Sequence, residues 1–313
     1  MNQKNNTAII FPGQGSQFIG MGKDLFEHYS TAREVFEEVD DSLQQNLSKI
    51  IFTGDVEELN KTANTQPALM AVSMAIWRVI NKDGKKNLPD IAKYVAGHSL
   101  GEYSALTVAE SILLSDAAKI LRIRGNAMQE AVPMGQGSMA ALIGADHDKV
   151  TDIIADTKKF GLCEIANDNG GGQIVISGAV AAVEHAIKIS PQFSVRKAVQ
   201  LPVSAPFHCS LMEPAAVSMQ EALEDINVVS PIIPLIANVN VEPVTDPIKI
   251  KKLLVDQVTS TVRWRETINY FVANEIDRCI EIGAGKVLSG IGRRIDKSID
   301  FISIQNVNDI ENV

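Results

Sequence analysis

The segment Tyr94-Val95-Ala96-Gly97-His98-Ser99-Leu100-Gly101 constrains this chain more than any other. An apolar run that reads as a buried strand stops at a serine with a glycine two residues to either side, and a helical pattern over about 100 to 109 follows at once. Glycines at these two places let a strand turn sharply into a helix and leave the serine hydroxyl exposed at the bend, the geometry of a nucleophile elbow. An ordinary strand-to-helix turn that happens to carry serine has the same pattern. The rest of the chain has to decide between them.

The surrounding pattern is α/β. Residues 7 to 11, TAIIF, read as a short buried strand that ends in the glycine-rich loop PGQGSQ. Helical patterns follow at 22 to 45 and 66 to 82, then the strand at 93 to 96, the bend, and a helix at 115 to 131. Strands separated by helices of these lengths imply a mainly parallel sheet covered on both faces, in an α/β-hydrolase-like arrangement. Past Pro133 the style changes. GSMAALIG (137 to 144) is strand-like, DHDKVTDIIADTKKF helical, and LCEIAND and QIVISG are two strands around the turn Asn169-Gly170-Gly171-Gly172. A helix at 180 to 189 and a strand at 194 to 200 complete β-α-β-β-α-β, the split order of a ferredoxin-like domain. Residues 132–200 are therefore expected to form a small inserted subdomain, and 1–131 with 201–313 the large α/β subdomain. A strand at 233 to 239, helices at 247 to 258 and 263 to 273, and strands at 278 to 283 and in FISIQNV return to the first style.

Composition narrows the function classes. At 313 residues with 45% apolar and 21% charged content, the chain is long enough to bury a large core. A net charge of -9, 5% aromatics and no dense basic run argue against nucleic acid as a ligand. Lys286, Arg293, Arg294 and Lys297 do thicken toward the C-terminus, as a solvated helix face or a local docking patch. No leader pattern and no window of 18 unbroken apolar residues is seen, so a cytoplasmic protein away from membranes is expected. Cys163, Cys209 and Cys279 lie far apart without metal-ligand spacing and are expected to be reduced and structural, with no metal required.

A serine nucleophile needs a base. Of five histidines, His28, His147 and His185 lie in charged helical stretches and read as exposed, while His98 adjoins the serine at a bend where neighbouring side chains diverge. His208 remains, in the irregular loop PVSAPFHCSLMEP, either as base or as a buried structural histidine. Arg124 invites a geometric argument. On a helical wheel, Leu113, Ala117, Ile120, Leu121, Ala127, Met128 and Ala131 fall within about 60° of it, whereas Lys119, Arg122, Asn126 and Gln129 lie on the opposite, solvated side. An inward guanidinium needs an anionic partner, either an internal Asp or Glu or the carboxylate of a substrate. The loop FPGQGSQ lacks the endings of a phosphate loop, and suits an oxyanion hole built from the Gln14 region and the Leu100 amide. Gln14 and Gln17 read equally as turn residues.

Taken in order, FPGQGSQFIGMG, TQPALMAVS, GHSLGEYSAL, RIRGNAMQEA, SAPFHCSLM and EIGAGKVLSGIGRR resemble the malonyl-CoA:acyl carrier protein transacylase family of bacterial fatty acid synthesis, and more broadly the acyltransferase domains of polyketide synthases. The resemblance implies Ser99 as nucleophile, His208 as its partner, Arg124 as binder of the malonyl carboxylate, and oxyanion amides from Gln14 and Leu100. It also implies that the Gln257 backbone carbonyl orients the histidine and that Phe207 narrows the acyl pocket. Ser260-Thr261 stand where the family often has Asn-Pro. The substrates implied are malonyl-CoA and holo-acyl carrier protein, with no tightly bound cofactor, and a monomer is expected. A serine hydrolase or thioesterase, and a non-catalytic binder of acyl-CoA or carrier protein, are the rival readings.

Overall fold

In the computed structural model, which describes residues 6–203 and 205–312, two sheets divide the chain. Residues 1–5, in which the N-terminal reading begins, and Ser204 of the histidine loop lie outside the described residues. The first sheet contains β1 (Thr7–Phe11), β2 (Tyr94–Gly97), β7 (Leu235–Ile236), β8 (Pro243–Val244), β9 (Arg278–Ile282) and β10 (Asp300–Ile304) in the order β10-β9-β1-β2-β7-β8. Every neighbouring pair in it is parallel except β7 and β8. The second contains β3 (Gly137–Ile143), β4 (Cys163–Gly170), β5 (Gln173–Ala179) and β6 (Lys197–Gln200), all antiparallel, in the order β4-β5-β3-β6.

The parallel sheet explains its own sequence. Strands covered on both faces must be apolar throughout, and Ala8, Ile9, Ile10 and Phe11 are all fully buried. Ile9, Phe11 and Val95 join the core beneath the helices Thr62–Arg78, Gly101–Val108 and Leu114–Glu130. Ala8, Ile10, Tyr94 and Ala96 point the other way, against Trp264, Ile268 and Phe271 of the helix Trp264–Ala273. In the antiparallel sheet, Ala140, Leu142, Ile174 and Ile176 pack on the helices His147–Thr157 and Val180–Ile189. The order of elements is the expected β-α-β-β-α-β.

Some boundaries differ from the sequence expectation. The helix expected over 22 to 45 is two, Lys23–His28 and Ser30–Leu43, broken where Tyr29 is extended (φ −123°, ψ 122°). The helix expected from 66 begins at Thr62 and runs through Pro67. It is held there by tertiary contact: a Cβ on Gly125 would lie 2.5 Å from the Ala63 Cα, so the helix Leu114–Glu130 crosses its first turn at close range. The strand expected over 194 to 200 pairs only from Lys197.

Candidate active site

β1 and β2 are neighbours, so the loop after Phe11 and the bend after Gly97 open side by side at the carboxyl ends of parallel strands, the usual place for a ligand in such sheets. At the bend Ser99 takes φ 55°, a left-handed conformation that is strained for any residue with a Cβ. The flanking glycines are dictated by contact. A Cβ on Gly97 would lie 1.9 Å from the Gly101 carbonyl carbon, and one on Gly101 2.4 Å from the Phe11 carbonyl oxygen. Asn238, just beyond β7, holds the bend: its Oδ1 accepts the Ser99 backbone N–H at 2.8 Å and its Nδ2 donates to the Gly97 carbonyl at 2.7 Å.

His208 reaches this bend from the loop before the helix Glu213–Glu224, itself at φ 58°. Its Nε2 lies 2.7 Å from Ser99 Oγ, and its Nδ1 2.9 Å from the Gln257 carbonyl oxygen in the last turn of the helix Pro247–Thr259. A carbonyl can only accept, so Nδ1 carries the hydrogen and Nε2 presents a lone pair to the serine hydroxyl. Burial, with the nearby Arg124 charge, pulls the imidazole down from 6.5 to about 3, so the ring is neutral throughout the physiological range. A neutral imidazole at this distance is equipped to take a proton from serine.

Arg124 sits 1% exposed in the helix Leu114–Glu130. Its Nη1 donates to Gln66 Oε1 at 2.7 Å, and its Nη2 to Gln257 Oε1 at 2.8 Å and to Ser99 Oγ at 3.2 Å. The guanidinium carbon stands 5.8 Å from the Tyr103 ring centroid, and Nε is buried with no hydrogen-bond partner. No carboxylate pairs with it among the described residues, which disfavours the internal ion pair and leaves a buried cation facing the cavity beside Ser99. The wheel is corrected at its edges. Leu113 precedes the helix in extended backbone and is 66% exposed, and Arg122 is half-buried, donating to Asn64 Oδ1 at 2.6 Å where the helix Ser30–Leu43 packs across that side.

The remaining sequence candidates gather around the same space. The backbone N–H groups of Gln14 and Leu100 donate to no protein group among the described residues, and both residues line a cavity of about 100 Å³ with Ser99, Arg124 and His208. Phe207, 8% exposed, closes it together with Met128, Met139 and Val203. A wider groove of about 380 Å³, lined by Gly13, Asn169, Leu201 and Leu288 among others, adjoins it through Gln14, His98 and Asn167. The Gln14 side chain accepts from Thr62 Oγ1 at 3.0 Å, while Gln17 is a turn residue, accepting from the Gly15 N–H at 2.8 Å. The Ser260-Thr261 departure leaves the Gln257 carbonyl on His208 undisturbed.

Of the other histidines, His98 does turn away from the serine, with Nε2 2.9 Å from Asn169 Oδ1 and its ring against Trp264. His28 and His147 are exposed. His185, expected to be exposed, is half-buried, stacked 4.0 Å from the Phe160 ring and 2.7 Å from Asp156 Oδ1. Sequence reading missed Gln66, Asn238 and Glu102. Glu102 stands in the quoted GHSLGEYSAL, fully buried in a helix without an exposed residue. An acid in that setting is the same kind of signal that singled out Arg124. Burial raises its carboxyl, while the N–H donors from Asn238 and Gln257, one on each oxygen, and the Arg124 charge favour the ionised form. The assembly joins a serine with an imidazole able to act as its base, two amides suited to a developing oxyanion, and a fixed cation able to meet an anionic group.

Comparison with known proteins follows the same lines. A sequence model of the acyl transferase domain family matches residues 8–310. The malonyl CoA-acyl carrier protein transacylase of Bacillus subtilis is 43% identical over 307 residues, covering 97% of this chain and 95% of that protein. Among solved structures, the acyl-carrier-protein-S-malonyltransferase of Bartonella henselae superposes with a TM-score of 0.96 at 56% identity, over 98% of this chain and 97% of that one. A malonyl-transacylase solved in complex with its type II PKS acyl-carrier protein gives a TM-score of 0.94 at 38% identity, over 98% of each chain.

Proposed function

The chain belongs to the acyl transferase domain family, and we propose from that premise that it moves the malonyl group from malonyl-CoA to the phosphopantetheine thiol of acyl carrier protein, as in fatty acid synthesis. The observation that carries this reading is Arg124: a buried cation that no carboxylate touches among the described residues, Glu102 reaching it only through the Gln257 amide, hydrogen-bonded to Ser99 Oγ and opening on the cavity that Ser99 and His208 share. A malonyl carboxylate supplies the missing anion and places the thioester carbonyl over the serine.

In the mechanism, Ser99 Oγ attacks the thioester carbonyl carbon while His208 Nε2 takes its proton. The Gln257 carbonyl, on His208 Nδ1–H, keeps the ring in the required tautomer and steadies the imidazolium that forms. The tetrahedral oxyanion lies between the Leu100 and Gln14 amides. As the intermediate collapses the carbon–sulfur bond breaks, CoA sulfur takes the proton from His208, and malonyl-Ser99 remains. The carrier thiol then gives its proton to His208, attacks the ester carbonyl and carries the malonyl group away, returning the hydrogen to Ser99. Phe207 narrows the acyl end of the cavity. The chemistry requires no tightly bound cofactor and no metal. On the two-part reading, 1–131 with 201–313 carries the reaction and 132–200 is the insertion. We place the protein in the cytoplasm as a monomer that binds neither nucleic acid nor membrane; none of the described helices is long and apolar enough to cross one.

Incubation with radiolabelled malonyl-CoA, with and without holo-acyl carrier protein, tests the proposal. The expected result is a stable malonyl adduct on Ser99, seen by intact mass, that chases onto the carrier and is absent from Ser99→Ala. Release of free malonate in place of transfer means a hydrolase, and an adduct that persists in Ser99→Ala moves the nucleophile elsewhere.

A further inference from the structure

Glu102 takes no part in the steps above, yet its two oxygens face groups that do. Oε1 accepts the backbone N–H of Asn238, and Oε2 accepts a hydrogen of Gln257 Nε2. Asn238 in turn pins the bend through the Ser99 N–H and the Gly97 carbonyl. Gln257 spends the other hydrogen of Nε2 on the Ser99 carbonyl at 3.0 Å, offers Oε1 to Arg124, and holds His208 with its backbone carbonyl. We infer that Glu102 is a positioning residue, a buried carboxylate that sets Asn238 and Gln257 and through them keeps nucleophile, base and carboxylate-binding arginine in one register.

The argument lies in the sorting of donors and acceptors. Both groups that meet Glu102 are N–H donors, so the site fits a side chain that accepts at both ends. Glutamine has the same shape but must turn an NH₂ toward one of them. Facing Asn238, it opposes a backbone N–H that cannot rotate. Facing Gln257, it opposes Nε2 unless the Gln257 amide turns over, which points an NH₂ at Arg124 and an oxygen at the Ser99 carbonyl. Every arrangement of a neutral amide at 102 therefore loosens one contact of the dyad or of Arg124. Aspartate keeps both acceptors and the charge but falls short by one methylene.

This inference rests on acyl transfer by Ser99 and His208, so wild-type acylation by malonyl-CoA is the first measurement: its absence overturns that reading and not merely the role of Glu102. Single-turnover acylation is then compared for Glu102→Gln and Glu102→Asp, normalised to folded protein, with melting curves alongside. Displacement of a dyad member by about an ångström lowers the rate by about 10²-fold, the loss expected for Glu102→Gln, with a smaller loss, about tenfold, for Glu102→Asp. A residue that merely fills space gives the reverse order, since glutamine preserves shape and aspartate does not. Glu102→Gln within threefold of wild type, or faster than Glu102→Asp, overturns the proposal. Should Glu102→Gln not be recovered folded, Glu102→Asp is set against Glu102→Asn, which has the same length without the charge: an Asn variant about tenfold slower than the Asp variant upholds the role, and equal rates remove it.

Discussion

Arg124, His208 and Ser99 each hold a state that an isolated side chain avoids: a buried charge that no carboxylate touches among the described residues, a ring that refuses protonation, and a left-handed backbone. On the proposed function, the consequence expected of Arg124 is selectivity. Arg124→Ala removes a charge-assisted contact in a dry site, worth about 2–5 kcal/mol, so malonyl transfer should fall by orders of magnitude while acetyl-CoA becomes relatively favoured. The measurement is the ratio of kcat/KM for the two thioesters, and an unchanged ratio removes Arg124 from substrate binding. For His208 the consequence is a pH profile. With its folded value near 3, the base stays available on mild acidification, so the His208 contribution to acylation should be level from pH 7 to about 5. Stability runs differently: as pH falls from 6.5 toward 3 the unfolded chain binds a proton that the native ring rejects, so the fold loses stability across that window. His208→Ala should flatten the acid limb of melting temperature against pH. A limb of wild-type steepness in that variant would place the acid sensitivity elsewhere.

The elbow is an element whose sequence and geometry agree almost residue for residue. Its glycines are read correctly from the pattern because each is fixed by local sterics, and Gly97→Ala, which drives a Cβ to 1.9 Å from the Gly101 carbonyl carbon, should cost at least about 1–3 kcal/mol as an overpacked site. Urea denaturation measures this, and a wild-type midpoint would mean that the bend relaxes freely. The buried face around Arg124 is legible for a similar reason: a charge in an apolar stripe stands out within one helix. Gln66, Asn238 and Glu102 are not legible in that way. Their roles come from hydrogen bonds that span 58 positions to Arg124 and 136 between Glu102 and Asn238, and a polar residue's partner across such a distance leaves no period in the sequence. The early start of the helix at Thr62 was hidden by Pro67, whose local preference is overridden by packing against Gly125.

In the whole molecule the two sheets meet at the active site. β4 docks on the segment before Trp264 through the bridge between Asn167 and Val262, Asp168 pairs with Arg265 at 2.8 Å, and Asn169 holds His98, the residue next to Ser99. Asn169→Ala leaves the half-buried His98 ring without that partner and should lower stability by about 1 kcal/mol and raise the KM for malonyl-CoA, as the wall shared by cavity and groove loosens. Calorimetry with steady-state kinetics checks both, and an unaltered KM would confine the contact to folding. The antiparallel unit begins and ends on adjacent strands: Ala140 pairs with Gln200, and the Leu201 N–H donates to the Met139 carbonyl at 2.9 Å. Ser99, Arg124, His208 and Gln257 all lie outside 137–200, whereas Met139 and Asn167, which form part of the cavity wall, lie inside it. Substitutions within 137–200 can therefore reshape the cavity wall while Ser99, Arg124, His208 and Gln257, on the stretches of chain to either side, stay as they are.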